Sequence, residues 1–303
     1  MSWGKRLTGY WNKPHHAAYL FIAPAVLIIT LFCIVPMLAS FGISTMNITT
    51  YFTSSKFVGW GNFAEAFHDS KFLNSWKVTG IYTVCVVPIM ICFALFMAAL
   101  VNSERRSDKF FRTIFILPII CSSTVTGLMW KLFLDPNIGW GIYAMEKLGL
   151  PSMDIFSNVK LAIFGIVFIT VWSGFGVSCM ILVAAMQGVS TSLYEAASLD
   201  GANAFQKSLH VTIPGISSTL WFILITQIIA SFQVFDLVYV ITNGGPAHST
   251  ETVVSYVYSN AFTTNNRLGY STAMSEVLFV VILLVTVLLY SRMLAQEKNG
   301  GAQ

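Results

Sequence analysis

Six apolar runs, each of a length to cross or nearly cross a bilayer as a helix, constrain this chain more than anything else in it. A hydrocarbon core takes about 20 consecutive apolar residues in helical form. Such runs occupy residues 19–43, 78–101, 113–134, 161–186, 215–241 and 277–290; the last can begin nearer Ala273, with Glu276 by its outer end. They do not alternate and they outrun barrel strands, so helices are the remaining way to satisfy the backbone in lipid. Composition agrees: only 10% of the 303 residues are charged, against roughly 25% in a soluble domain. The predicted fold class is an all-α membrane protein with six transmembrane helices. It divides into an N-terminal segment (1–18), a six-helix transmembrane domain (19–291) and a C-terminal tail (292–303).

Lysine and arginine placement orients the helices. The short loop after the second run holds Arg105, Arg106, Lys109 and Arg112, and short basic loops stay on the cytoplasmic side. Both termini are then cytoplasmic, as is the loop at 187–214. The first run is longer than the 7–15 residue core of a signal peptide, so it reads as an uncleaved span. Pro24, Pro36, Pro88 and Pro118 fall inside spans and predict kinks.

Several functions are excluded by what the sequence lacks. The five cysteines sit in apolar runs with no C-x-x-C pair and no neighbouring histidine, which gives neither a disulfide framework nor a zinc site. No phosphate-cradling G-x-x-x-x-G-K-[ST] motif occurs. There is no intramembrane pattern of acids and bases for a proton or sodium relay. Catalytic motifs such as H-E-x-x-H or G-x-S-x-G are absent too. The chain is expected to be no enzyme and to carry no cofactor or metal.

The loop at 187–214 is too polar to lie in the bilayer. Ser190, Thr191 or Ser192 can cap a short helix, with Glu195 at capping-box spacing from Ser192. Ala196 and Ala197 give that helix a small-residue side that another protein can approach closely. Gly201 permits a tight turn. A second short helix then runs through Ala204, Phe205 and Leu209, and Pro214 opens the next span. A face this small and acidic fits a partner's cleft better than a membrane surface.

Glu195-Ala196-Ala197, Asp200-Gly201-Ala202 and Val211-Thr212-Ile213-Pro214 resemble the EAA signature of binding-protein-dependent permeases of ATP-binding-cassette importers. The sugar-uptake branch of that family, first-permease type, is also resembled elsewhere in the chain. Its landmarks are Phe57-Val58-Gly59-Trp60-Gly61-Asn62-Phe63, Phe110-Phe111-Arg112-Thr113 with Leu117-Pro118, and Phe235-Asp236 through Asn243-Gly244-Gly245-Pro246-Ala247. Ser255-Tyr256-Val257-Tyr258, Ala261-Phe262 and Gly269-Tyr270 complete the series. One departure is Ser208, where many members carry a large aromatic. The resemblance implies a type I importer permease in a bacterial or archaeal cytoplasmic membrane. It further implies a second related permease, two ATPase subunits that bind ATP and Mg, and an extracytoplasmic solute-binding protein. The cargo would be a mono- or oligosaccharide moved by alternating access. A self-sufficient six-helix secondary transporter is the competing reading.

The resemblance assigns ATPase coupling to Glu195, Ala196, Ala197, Asp200, Gly201, Ala202, Phe205 and Pro214. For the substrate path, polar residues inside spans point inward because facing lipid is costly. The candidates are Trp172, Ser173, Gly174 and Val177 in the fourth span and Gln227, Ala230, Ser231 and Val234 in the fifth. Gln227 and Ser231 share a face at i and i+4. Asp236, nine residues on at ~100° each, is expected on nearly the opposite side, paired with the second permease.

Overall fold

The computed structural model describes residues 14–52, 55–103, 105–149 and 154–300. Parts of the expected terminal segments, 1–13 and 301–303, lie outside the described residues. Contact density separates two compact units, one made of residues up to Ala66 with 260–277, the other of residues 67–259 with 278 onward.

In the first unit, α1 (Pro14–Ile29) passes through a π turn (Thr30–Ile34) into α2 (Val35–Ser44). Phe21–Ser44 is long and apolar enough to cross a membrane. An antiparallel ribbon follows, β1 (Met46–Ile48) against β2 (Ser55–Phe57), with Asn47 opposite Lys56. The all-helical expectation did not include it. At the start of α3 (Gly61–His68), the Asn62 amide donates to the Ser44 carbonyl at 2.8 Å and the Met46 carbonyl at 2.9 Å. These bonds satisfy groups where helix gives way to ribbon. Arg267 clamps Glu65 with two parallel bonds of 2.5 and 2.6 Å, the bidentate geometry a planar guanidinium favours. Glu276 is buried and accepts from the Ser40 hydroxyl, so this membrane-depth carboxyl is partnered.

The second unit is built on α4 (Ser70–Leu100) packed along α8 (Ala162–Gln187). Fully buried Ala94, Ala98, Ile166, Ile169, Cys179 and Leu182 form the seam. Lipid tails are as apolar as these side chains, so close fit and interhelical hydrogen bonds hold such a seam together. The Tyr82 hydroxyl meets that of Thr170 at 2.9 Å. Asp69 caps α4, accepting from the Lys71 and Phe72 amides and from the Tyr256 hydroxyl at 2.6 Å. In the basic loop, Arg112 donates to the Val101 and Ser103 carbonyls, and Ser103 donates to Asp108. Arg112, one of the four basic residues of this loop, thus ties the loop shut.

Two of the expected spans are not straight. The third divides into α5 (Arg106–Ile120) and α6 (Ser123–Phe133), bent by 95° at Cys121-Ser122. Pro118 removes a helix bond just before the break, and Ser122 accepts from the Val125 amide to start a new helix. The pair advances along α8: Gly176 abuts Phe115, and Trp130 sits against Phe168 and Trp172. Counted as one broken span it makes six candidate crossings with the five other long apolar helical segments. The fifth span divides into α12 (Ser217–Phe232) and α13 (Asp236–Ile241). Phe235, at φ −138° and ψ −58°, breaks it. Thr252 donates to the Val234 carbonyl freed there, at 3.0 Å, and the Phe235, Tyr239 and Tyr258 rings pack within 5.3 Å of one another. The short helices α7 (Trp140–Lys147) and α14 (Val253–Tyr258) lie between these spans, and the last helix, α15 (Leu268–Gly300), extends well beyond the run expected at 277–290.

Candidate functional site

Between α8 and α12 the loop folds as a helical hairpin. Here α9 (Thr191–Leu199) starts at Ser190, not Ser192. Glu195 therefore lies beyond capping-box position, and the expected box at Ser192 does not form. Its side chain is exposed, with no hydrogen bond or ion pair among the described residues. The capping box lies one helix later: Asn203 accepts from the Gln206 amide at 2.9 Å, and Gln206 accepts from the Asn203 amide at 2.8 Å, starting α10 (Ala204–Lys207).

Gly201 joins the helices at φ +77°, where an L side chain is strained. The Ala202 amide bonds the Ala197 carbonyl at 2.9 Å across this turn, and the Gly201 amide bonds Ser198. These two bonds close the helix end in a Schellman-type cap. Lys207 donates to the Ser198 hydroxyl at 2.7 Å, and the Tyr194 and Thr212 hydroxyls meet at 3.0 Å, bracing the hairpin. The chain continues from α10 through a π turn (Ser208–Thr212) into α11 (Ile213–Gly215), which contains Pro214. Ser208 opens the π turn. Leu199 is 91% exposed and Phe205 75%, two large apolar side chains held out on a braced polar loop.

The second candidate is a cavity of about 450 Å³ in the larger unit, where the two helix breaks meet α4 and α8. Ser173, Gly174, Gln227, Ala230, Ser231 and Val234 line it together. Trp172 and Val177 do not. Trp172 turns toward Trp130, their ring centroids 5.3 Å apart, and Val177 is partly exposed elsewhere on α8. Gln227 donates to the Ser178 hydroxyl at 3.2 Å, and Ser231 to the Thr83 hydroxyl at 3.0 Å. Both are tied to neighbouring helices as well as lining the space.

The cavity also contains residues that sequence reasoning missed. Tyr82, Ser122, Ser123, Thr126 and Thr170 add hydroxyls, Gln233 an amide and Asp236 a carboxylate. Asp236 corrects the helical-phase argument. Counting ~100° per residue from Gln227 presumes an unbroken helix, but the chain leaves helical geometry at Phe235 and restarts at Asp236. Its carboxylate makes no hydrogen bond or ion pair among the described residues. The signals for both breaks were in the sequence, as Pro118 followed by Ser122-Ser123 and as an acid placed to open a new helix turn. Among the described residues, no lysine, arginine or histidine lines the cavity. Its volume falls within the ~300–1,000 Å³ of small-ligand sites.

A braced exposed hairpin and a polar cavity inside a helical membrane bundle suit a transporter, and comparison with known families decides which. Residues 90–297 match the family of binding-protein-dependent transport system inner membrane components. The chain belongs to this family. It is similar to the sn-glycerol-3-phosphate transport system permease protein UgpA of Agrobacterium fabrum, 32% identical over 88% of this chain and 91% of that protein. It is also similar to the probable ABC transporter permease protein YesP of Bacillus subtilis, 33% identical over 92% of this chain and 91% of that one. In fold it matches a chain of a bacterial alginate ABC transporter solved with an alginate pentasaccharide-bound periplasmic protein. The TM-score is 0.80 at 19% identity, over 90% of this chain and 92% of that one. This permease is therefore a multi-pass membrane protein of binding-protein-dependent transport.

Proposed function

We propose that this permease passes an uncharged mono- or oligosaccharide through the cavity between its two broken spans, by alternating access. The observation carrying this reading is the cavity's lining: hydroxyls, amides and one free carboxylate, with no cation. Such a set hydrogen-bonds sugar hydroxyls and offers a phosphate or uronate no opposite charge. Tyr82, Ser173, Gln227, Gln233, Ser231 and Asp236 would contact cargo, while Gly174, Ala230 and Val234 shape the passage.

The energy would come from a partner ATPase that binds ATP and Mg, because this chain has no phosphate-cradling loop and performs no chemistry itself. The α9–α10 hairpin would dock in that partner. Glu195, Ala196, Ala197, Asp200, Gly201, Ala202 and Phe205 would form the contact, and Pro214 would pass its movement to α12. With Ser208 in place of an aromatic, Phe205 and Leu209 supply the anchoring side chains. The assembly would include a second permease and two ATPase subunits, and the binding protein would deliver cargo from outside. Arg105, Arg106, Lys109 and Arg112 support cytoplasmic termini and hairpin, in a bacterial or archaeal cytoplasmic membrane.

The test is uptake by the permease with and without its co-purifying subunits. Sugar uptake that requires the ATPase, and ATPase activity stimulated by the loaded binding protein, are expected. Autonomous uptake by the isolated chain would overturn the reading in favour of a secondary transporter.

A further inference from the structure

Trp221 lies one turn into α12, four residues after Ser217, and its indole N–H donates to the Gln296 side-chain oxygen at 2.6 Å. An indole nitrogen is a donor only, and left unpaired among apolar side chains it would cost free energy. Gln296 stands near the far end of α15. The α9–α10 hairpin leads through Pro214 directly into α12. The bond therefore ties the last crossing to the fifth at the end of the bundle that carries the hairpin.

Little else holds α15 to this unit. A groove of about 430 Å³ adjoins the bond. Leu220 and Leu224 line it from α12, Ile91 and Leu95 from α4, with Pro214 and Gln296 completing the wall. Along α15, Val280, Leu283, Leu284, Val287 and Leu288 are exposed. No other side chain of residues 278–296 hydrogen-bonds to another helix among the described residues. In lipid, apolar side chains gain nothing merely by leaving their surroundings for one another, so helices are held by close fit and by hydrogen bonds. Here the fit is poor and the bond remains.

We infer that the Trp221–Gln296 bond is a strut that makes α15 follow α12 when the hairpin moves, so that the hairpin drives two crossings instead of one. The inference rests on the coupling role proposed above for the hairpin. Trp221 and Gln296 are then positioning residues: neither meets cargo or ATP, and both act through the Pro214 junction. The groove leaves α12 room to shift against α4, and the strut carries α15 with it.

The experiment uses the assembled transporter with the five native cysteines of this chain replaced by alanine. Spin labels go on Phe96→Cys in α4, Ser218→Cys in α12 and Ser291→Cys in α15, taken in pairs. Distances are read by pulsed electron resonance without nucleotide and after trapping with ATP and vanadate. The 96–218 distance is expected to shift by about 1–2 Å or more on trapping, while the 218–291 distance holds. Gln296→Leu and Trp221→Phe should each release α15, so that the 218–291 distance shifts too. Gln296→Glu, whose carboxylate still accepts from the indole, should keep that distance constant. A 218–291 distance that shifts in the wild type, or holds in both variants, overturns the strut and leaves the hairpin's role standing. Failure of Gln296→Glu to hold it overturns the hydrogen bond as the tie. A 96–218 distance unchanged by trapping overturns the coupling reading itself.

Discussion

The α9–α10 hairpin and the cavity are both gaps in a helical bundle, but they are made in opposite ways. The hairpin is assembled from neighbours in sequence: Gly201 turns it, Asn203 and Gln206 cap each other, and Lys207 reaches back to Ser198. Its apolar side chains, Leu199 and Phe205, point away from its own chain. The cavity is assembled from distant residues. Thr252 completes the break at Val234, Ser122 restarts a helix after Pro118, and Tyr82 and Thr170 cross from α4 to α8. An exposed braced hairpin can thus be written locally, whereas an interior cavity needs several helices to fail at the same depth.

That contrast can be broken most severely at Gly176. A Cβ there would overlap the Phe115 carbonyl oxygen, and backbone cannot yield as a side chain can. Gly176→Leu should cost about 3 kcal/mol or more and abolish monodisperse permease in size-exclusion chromatography. Gly174→Ala meets only the Met90 methyl, at 2.9 Å, and should remain folded. Equal loss in both would show that the α5–α8 contact is not what fixes the cavity.

Next in size is Asp236→Asn. A hydrogen bond to a charged group contributes about 1.5–3 kcal/mol, so KM for cargo should rise by about tenfold or more while assembly is unchanged. Loss of the second permease from the complex, with normal KM in what remains, would place Asp236 at a subunit contact instead. Gly201→Val, at φ +77°, should strain the turn by about 1–2 kcal/mol. The bundle should melt as before while uptake per ATP hydrolysed falls. An unaltered coupling ratio would remove the hairpin from energy transfer. The smallest effect belongs to Gln206→Ala, which breaks half of the capping box and should cost about 1 kcal/mol or less. It should appear as faster amide exchange confined to α10, and exchange spreading into α12 would show the two helices to be one cooperative unit.

What could be read from sequence follows the same division. The hairpin's position, its glycine turn and its second helix were legible because each depends on residues a few places apart. Its capping box was misplaced because Ser190, Thr191 and Ser192 are chemically equivalent candidates, and only backbone geometry selects among them. The crossings were legible from length and apolarity alone, which say nothing of straightness. The ribbon at Met46–Ile48 escaped because three-residue strands leave no alternation to count. Asp236 was misplaced for a sharper reason: periodicity carries information only within one helix, and the break that resets it is stabilised by Thr252, eighteen residues further on.

The 95° bend at Cys121-Ser122 also bears on how this chain enters its membrane. Neither α5 nor α6 alone has the about 20 residues a stable crossing takes, and a bend in bare lipid leaves carbonyls without partners. As the segment leaves the ribosome, neither α8 nor α13, against which the two halves pack, has yet been made. The straight helix is then the only form the lipid tolerates, and bending waits for the later helices. The cavity beside the bend therefore depends on helices made later in the chain than the bend itself.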